Sequence, residues 1–272
     1  MKFSKKTAGK LSAATLGAAL STGVMFELII DDKDWLYIED TEVADLGESV
    51  AYMRIPATGA RCTAFKFDTN KIMTNNHCVR TESQARGVRV SFSYKPGQLN
   101  DWFMCEKLVT TSFKFDFSVL ECEKKIESIP SLKLSPTLMQ KDDSVFIVHF
   151  NCDYYENPMC ETKKIVSYGG VMQAQSSRIA HSADTLGGSS GSPVFDERRK
   201  EVIGIHHAGL SGSLKGGRGV KNYAIPMAAI LPLISKPSSP SKPIAYPRKT
   251  TTEKPKKKCR IFCRIKRWFK SR

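Results

Sequence analysis

The sequence predicts an all-β domain, an antiparallel sandwich or barrel, on two observations. Short segments alternating apolar and polar residues follow one another through the middle of the chain, separated by clusters of Gly, Pro, Asn or Asp. Helical periodicity is scarce, Pro226 to Ile234 being the best candidate, so strands linked by crossover helices are not expected. A chain of 272 residues is longer than an average domain but suits one all-β domain with tails.

Taken in order, the chain opens on Met1-Lys2-Phe3-Ser4-Lys5-Lys6 and continues into an apolar, small-residue run from Leu11 to Phe26. A basic opening before such a run resembles a secretory signal, and the run is short for a membrane span. Residues 1–26 are therefore expected to be a signal peptide or membrane anchor; a buried or interfacial helix is the alternative. Ala19-Leu20-Ser21 and Gly17-Ala18-Ala19 are imperfect cleavage sites. Residues 27–47, acidic and turn-like, form a candidate propeptide or N-terminal extension. The folded domain is expected over 48–235, with strands at Val50–Ile55, Thr63–Phe67, Val88–Tyr94, Ser144–Val148 and Glu201–Ile205. Residues 236–258, with Pro237, Pro240, Pro243, Pro247 and Pro255, read as a linker, and 259–272 as a separate basic tail.

The formal net charge of +15 is concentrated at one end. Residues 236–272 hold about 14 Lys or Arg against Glu253 alone, which leaves the body nearly neutral. The eight cysteines, in a chain expected to be exported, favour disulfides over metal ligation or thiol chemistry. Three couples would each close a short loop: Cys62 and Cys78, Cys105 and Cys122, Cys152 and Cys160. Cys259 and Cys263 stand apart in the tail.

Three motifs carry chemistry. Gly187-Gly188-Ser189-Ser190-Gly191-Ser192-Pro193-Val194-Phe195 is a glycine-rich turn running into a strand. Such a turn can present the Ser190 hydroxyl while leaving the amides of Gly188 and Ser190 to meet a developing oxyanion; taken alone, it equally fits an ordinary loop. Thr74-Asn75-Asn76-His77-Cys78-Val79 ends a strand, and a cysteine beside His77 would pin the orientation a general base needs. Phe115-Asp116-Phe117-Ser118-Val119-Leu120 sets one carboxylate among apolar residues, where burial costs several kcal/mol unless a donor such as an imidazole N–H meets it. A surface-loop histidine and a turn-capping aspartate are the plain alternatives.

In the order His77, Asp116, Ser190, these elements resemble the chymotrypsin-like serine peptidases over roughly residues 50–234. Gly188-Ser189-Ser190-Gly191-Ser192-Pro193-Val194 resembles the bacterial, glutamyl-endopeptidase-like branch of that family. The resemblance implies two six-stranded antiparallel β-barrels, with His77 and Asp116 on the first and Ser190 on the second. It implies His77 as base, Asp116 as its orienting partner, Ser190 as nucleophile, Gly188 and Ser190 as oxyanion donors, and a disulfide between Cys62 and Cys78. No metal or cofactor is required. Animal trypsin-like enzymes carry an aspartate just before the nucleophile to pair with a freed N-terminus; this chain has Ser189, so activation by that ion pair is not expected.

The substrate pocket reads two ways. By resemblance to trypsin, Asp184 would receive Arg or Lys. By resemblance to glutamyl endopeptidases, Thr185 and His206, with Gly209 on the wall, would receive a carboxylate. His206 and His207 are neighbours on a strand and point to opposite faces, which argues against one metal ion shared with Cys152 and Cys160. His149 and His181 carry no constellation and read as satisfied or exposed histidines.

In the tail, Ile261, Phe262, Ile265, Trp268 and Phe269 share one stripe at about 100° per residue, with most basic residues elsewhere. This resembles an interfacial helix for anionic lipid or lipopolysaccharide; nucleic acid is less favoured because no binding module accompanies the charge. The sequence thus points to a secreted or periplasmic serine endopeptidase acting on proteins or peptides. A catalytically inactive binding module and a membrane-active protein working through its tail are the competing readings.

Overall fold

The computed structural model describes residues 28–30, 32–152, 162–211 and 219–235. The expected leader and the linker and tail from 236 onward lie outside them, as does Cys160. Among the described residues no helix is long and apolar enough to cross a membrane.

Strand β1 (Leu36–Tyr37), a 3-10 turn (Ile38–Asp40) and α1 (Ala44–Gly47) lead into the N-terminal sheet. That sheet contains β2 (Val50–Ile55), β3 (Ala60–Lys66), β4 (Lys71–Thr74), β5 (Arg89–Ser91), β6 (Phe103–Met104), β7 (Lys107–Ser112) and β8 (Phe117–Glu121), with α2 (Glu82–Ala85) between β4 and β5. Its order is β6-β5-β2-β3-β4-β8-β7, antiparallel throughout. The sheet curls into a half-barrel. Its β6 end meets β8 through a Glu123 N–H to Met104 carbonyl bond of 3.0 Å, beside a Cys105–Cys122 disulfide.

The C-terminal sheet contains β9 (Ser144–Phe150), β10 (Lys164–Gln175), β11 (Arg178–His181), β12 (Pro193–Asp196), β13 (Glu201–Ser211) and β14 (Gly219–Pro226), followed by α3 (Met227–Ile234). Strand β9 pairs with both β10 and β12, which closes a six-stranded barrel; β1 joins it along β10. The all-β double-barrel prediction holds, with one barrel closed and the other a curled sheet.

Boundaries moved for identifiable reasons. Strand β5 stops at Ser91 rather than Tyr94 because Tyr94 leaves the ladder to stack on Tyr52, ring centroids 4.0 Å apart. Strand β13 runs on to Ser211 through register shifts that bend it. Alternation places side chains on two faces, and three apolar clusters result rather than one. One fills the N-terminal sheet around Met53, Ile72, Val90 and Leu120, and another the C-terminal barrel around Ile147, Val171, Val194 and Ile203. The third lies between the halves, joining Phe65, Met73 and Phe117 to Phe146, Phe195 and Ile205, with Phe146 and Phe195 stacked at 4.7 Å. Fully burying each such ring stabilises by roughly 1.5–3 kcal/mol, so the halves are held together firmly at the seam where the three motifs meet. Ile38 and Val43 also enter this cluster, so part of the segment before residue 48 is packed with the domain.

Candidate active site

His77 lies in the turn after β4, tied to β3 by the disulfide between Cys62 and Cys78. Backbone bonds from Cys78 and Val79 to the Asn75 carbonyl, each 3.2 Å, set the turn, and Asn76 Nδ2 donates to Thr111 Oγ1 at 2.7 Å. Asp116 ends the β7–β8 turn with φ +40°, a left-handed conformation that an aspartate tolerates better than most residues. Asn75 Nδ2 donates to the Asp116 carbonyl at 2.8 Å, which couples the two turns.

The two side chains meet directly. Asp116 Oδ2 is 2.7 Å from His77 Nδ1, and Oδ1 accepts the His77 backbone N–H at 2.8 Å. Both carboxylate oxygens are therefore engaged by one residue, which fixes ring orientation and favours a proton on Nδ1. A second imidazole flanks the carboxylate: His207 Nδ1, on β13, lies 3.3 Å from Oδ2. Burial pushes the Asp116 carboxyl up, but hydrogen bonds from His207 and His77 outweigh it and hold it well below the usual carboxylate range.

Ser190 sits on the turn before β12, between Gly188 (φ +99°) and Gly191 (φ +88°), conformations open to glycine. A Cβ on Gly191 would lie 2.2 Å from the Thr63 carbonyl and 2.4 Å from Thr74 Oγ1, so the turn rests on β3 and β4 as only glycine allows. Thr63 clasps it from the other half. Its N–H donates to the Ser190 carbonyl at 2.8 Å, its Oγ1 donates to the Gly188 carbonyl at 2.9 Å, and Oγ1 accepts the Phe150 N–H at 3.1 Å. The Gly188 and Ser190 amides, by contrast, reach no backbone carbonyl among the described residues. Among those residues His77 bonds Asp116 and not Ser190; such contacts often close only when substrate is bound.

The pocket candidates divide. Asp184 is buried, and its Oδ1 accepts the Ile30 N–H at 2.7 Å. Thr185 Oγ1 and His206 Nδ1 are buried with no hydrogen-bond partner among the described residues. The segment at Leu28 runs alongside: Leu28 bridges Thr185, its carbonyl accepts Asn222 Nδ2 at 3.0 Å, and its methyls lie 2.6 and 2.7 Å from where a Cβ on Gly209 would stand. His206 and His207 have different partners: the His206 ring lies 5.6 Å from that of His181, and His207, at a register shift of β13, reaches Asp116. Burial, with neighbouring His181 and His207, holds the His206 imidazole well below its usual range and so neutral.

Sequence reasoning missed Thr63 and the contact of His207 with Asp116; of the two histidines expected to be satisfied or exposed, His149 is satisfied, with both ring nitrogens bonded, whereas His181 is buried with neither bonded among the described residues. Thr63 and His207 had no signal beyond lying on strands that cross the seam. His149 is fully buried, and Ser189 Oγ lies 2.7 Å from its Nδ1.

Comparison with known proteins agrees with this architecture. The model of the trypsin-like peptidase domain family matches residues 62–205. No curated protein sequence matches significantly. Among solved structures, a Glu endopeptidase in complex with MPD is similar with a TM-score of 0.61 and 21% identity, over 76% of this chain and 97% of that one. Deg5 is similar with a TM-score of 0.53 and 18% identity, over 72% and 91%. At these identities the likeness is one of fold, whereas the family match spans more than half the chain and contains all three motifs. The chain belongs to the trypsin-like peptidase domain family.

Proposed function

We propose that the chain is an exported serine endopeptidase in which Ser190 is the nucleophile, His77 the general base and Asp116 the residue that orients it. The observation that carries this reading is the two-point grip of Asp116 on His77, at 2.7 and 2.8 Å, opposite a Ser190 turn flanked by positive-φ glycines. With Nδ1 donating to Asp116, Nε2 is left to take the Ser190 proton as Oγ attacks a peptide carbonyl. The same nitrogen then returns the proton to the leaving amine, and water repeats the sequence on the acyl-enzyme. The amides of Gly188 and Ser190 stabilise the oxyanion; one such donor typically contributes about 2.7–4 kcal/mol.

For specificity, the reading that fits best is cleavage after acidic residues. Asp184, the candidate for basic substrates, is buried and holds the Ile30 amide, whereas Thr185 Oγ1 and His206 Nδ1 are buried polar atoms with no hydrogen-bond partner among the described residues. A substrate carboxylate would supply one. Export through residues 1–26 belongs to the same proposal, as does association of the basic tail at 259–272 with anionic lipid; loss of liposome binding on deleting 236–272 supports the latter, and unchanged binding sinks it.

The test is cleavage of a denatured protein by the full chain, with Ser190→Ala and a serine-directed covalent inhibitor as controls. Cleavage abolished by both, with new C-termini at Glu, is the expected result. New C-termini at Lys or Arg would overturn the specificity, and cleavage surviving Ser190→Ala would overturn the nucleophile. A well-folded wild type that cleaves nothing would favour the binding-module reading.

A further inference from the structure

Ser189 lies between the two proposed oxyanion donors, so whatever fixes it fixes both amides. It is fully buried, and every polar group it has is engaged. Its N–H donates to the Leu186 carbonyl at 3.1 Å, its carbonyl accepts the Ser192 N–H at 3.1 Å, and its Oγ accepts the Leu186 N–H at 3.2 Å. The remaining bond of Oγ runs 2.7 Å to His149 Nδ1, and His149 Nε2 lies 3.1 Å from Ser167 Oγ.

We infer that His149 is a positioning residue that holds the oxyanion turn in its open geometry by accepting a hydrogen bond from Ser189. The inference rests on the serine-peptidase reading above. The donors and acceptors around Ser189 give the direction of the chain of bonds. Among the described residues Ser189 Oγ meets only the Leu186 N–H, which it accepts, and His149 Nδ1, so Nδ1 is the acceptor that satisfies the buried hydroxyl proton, and the ring proton then sits on Nε2. The ring is thus needed neutral, and burial, with His181 nearby, pushes His149 down to about 3. Backbone geometry adds to the placement. His149 is the penultimate residue of β9, and the next carbonyl, that of Phe150, would lie 3.1 Å from a Cβ on Gly188. The end of β9 therefore supports the turn at two consecutive points. A turn held this way needs no ion pair to a freed N-terminus, the device for which Ser189 is the wrong residue.

The experiment uses the full chain, with kcat normalised by active-site titration. Ser189→Ala deletes one hydroxyl; His149→Leu deletes the acceptor; His149→Asn retains one near the Nδ1 position. We expect Ser189→Ala and His149→Leu each to lower kcat about tenfold or more with KM within about twofold. Affinity for a peptide boronate, whose oxygen occupies the oxyanion site, falls by the same factor, and His149→Asn recovers part of the loss. An unchanged kcat in Ser189→Ala, or a rise in KM alone, overturns the proposal. Should His149→Leu fail to fold, the nitrogen-15 shifts of the wild-type ring decide independently: a proton on Nε2 supports the chain of bonds, and one on Nδ1 overturns it. A wild type that neither cleaves nor reacts with a serine-directed reagent overturns the triad reading, while the ring tautomer still decides this one.

Discussion

His77 and His149 use the same side chain in opposite surroundings. His77 is 36% exposed, lies in a turn, and faces a carboxylate; His149 is fully buried in a barrel strand and faces a hydroxyl. A carboxylate stabilises an imidazolium, and exposure lets protons reach it, so the first site suits proton transfer. Burial beside neutral partners excludes the imidazolium, so the second site suits a fixed hydrogen-bond acceptor. The two halves of the domain thus contribute differently: the N-terminal sheet offers an exposed ring held by a carboxylate, and the C-terminal barrel offers a buried ring held neutral.

The sharpest way to break the comparison is to remove the charge beside His77. Asp116→Asn should lower kcat by about 10⁴-fold while leaving the fold intact, because the amide favours the wrong tautomer; stopped-time assays at fixed active-site concentration would check this. Next in size is the disulfide that holds the His77 turn. Replacing Cys62 and Cys78 by alanine releases a loop of 16-residue separation and should cost about 3 kcal/mol of stability, read by denaturant unfolding.

The buried histidines predict acid sensitivity with a defined sign. His149 and His181 are each pushed from 6.5 to about 3, chiefly by burial. The unfolded chain therefore binds protons that the folded one does not. Stability should be full above about 6.5 and fall as pH drops toward 3, on the order of 1 kcal/mol per pH unit for each ring. His181, whose ring nitrogens have no partner among the described residues, is the one to remove: His181→Leu should flatten this fall, measured as Tm against pH. A Tm profile unchanged by the substitution would count against the assignment.

Smaller effects should follow at the seam. His207→Leu takes one donor from Asp116, whose carboxyl should then rise toward its usual range, with a kcat loss of about tenfold and a shifted acid limb in the pH–rate profile. Thr63→Val removes the hydroxyl that donates to the Gly188 carbonyl and should cost about 1 kcal/mol in stability, with a modest fall in kcat.

What was legible in the sequence followed from local rules. Alternating strands, glycines at positions 188 and 191, and the cysteine beside His77 each state a backbone or covalent requirement in a few adjacent residues, and the barrels, the Ser190 turn and two disulfides follow from them. What was not legible depends on strands far apart in the chain. Nothing near His207 indicates that β13 passes beside the β7–β8 turn, and nothing near His149 indicates that Ser189, 40 residues on, folds back to meet it. The end of β5 was missed for a similar reason, since the pull on Tyr94 comes from Tyr52 on a neighbouring strand.

The most direct test of the account is labelling of the full chain with a fluorophosphonate, followed by mapping of the modified residue by mass spectrometry. The account predicts one adduct, on Ser190, formed rapidly in the wild type, far more slowly in His77→Ala and Asp116→Asn, and not at all in Ser190→Ala. An adduct elsewhere, or labelling of Ser190 at a rate indifferent to His77, would contradict it.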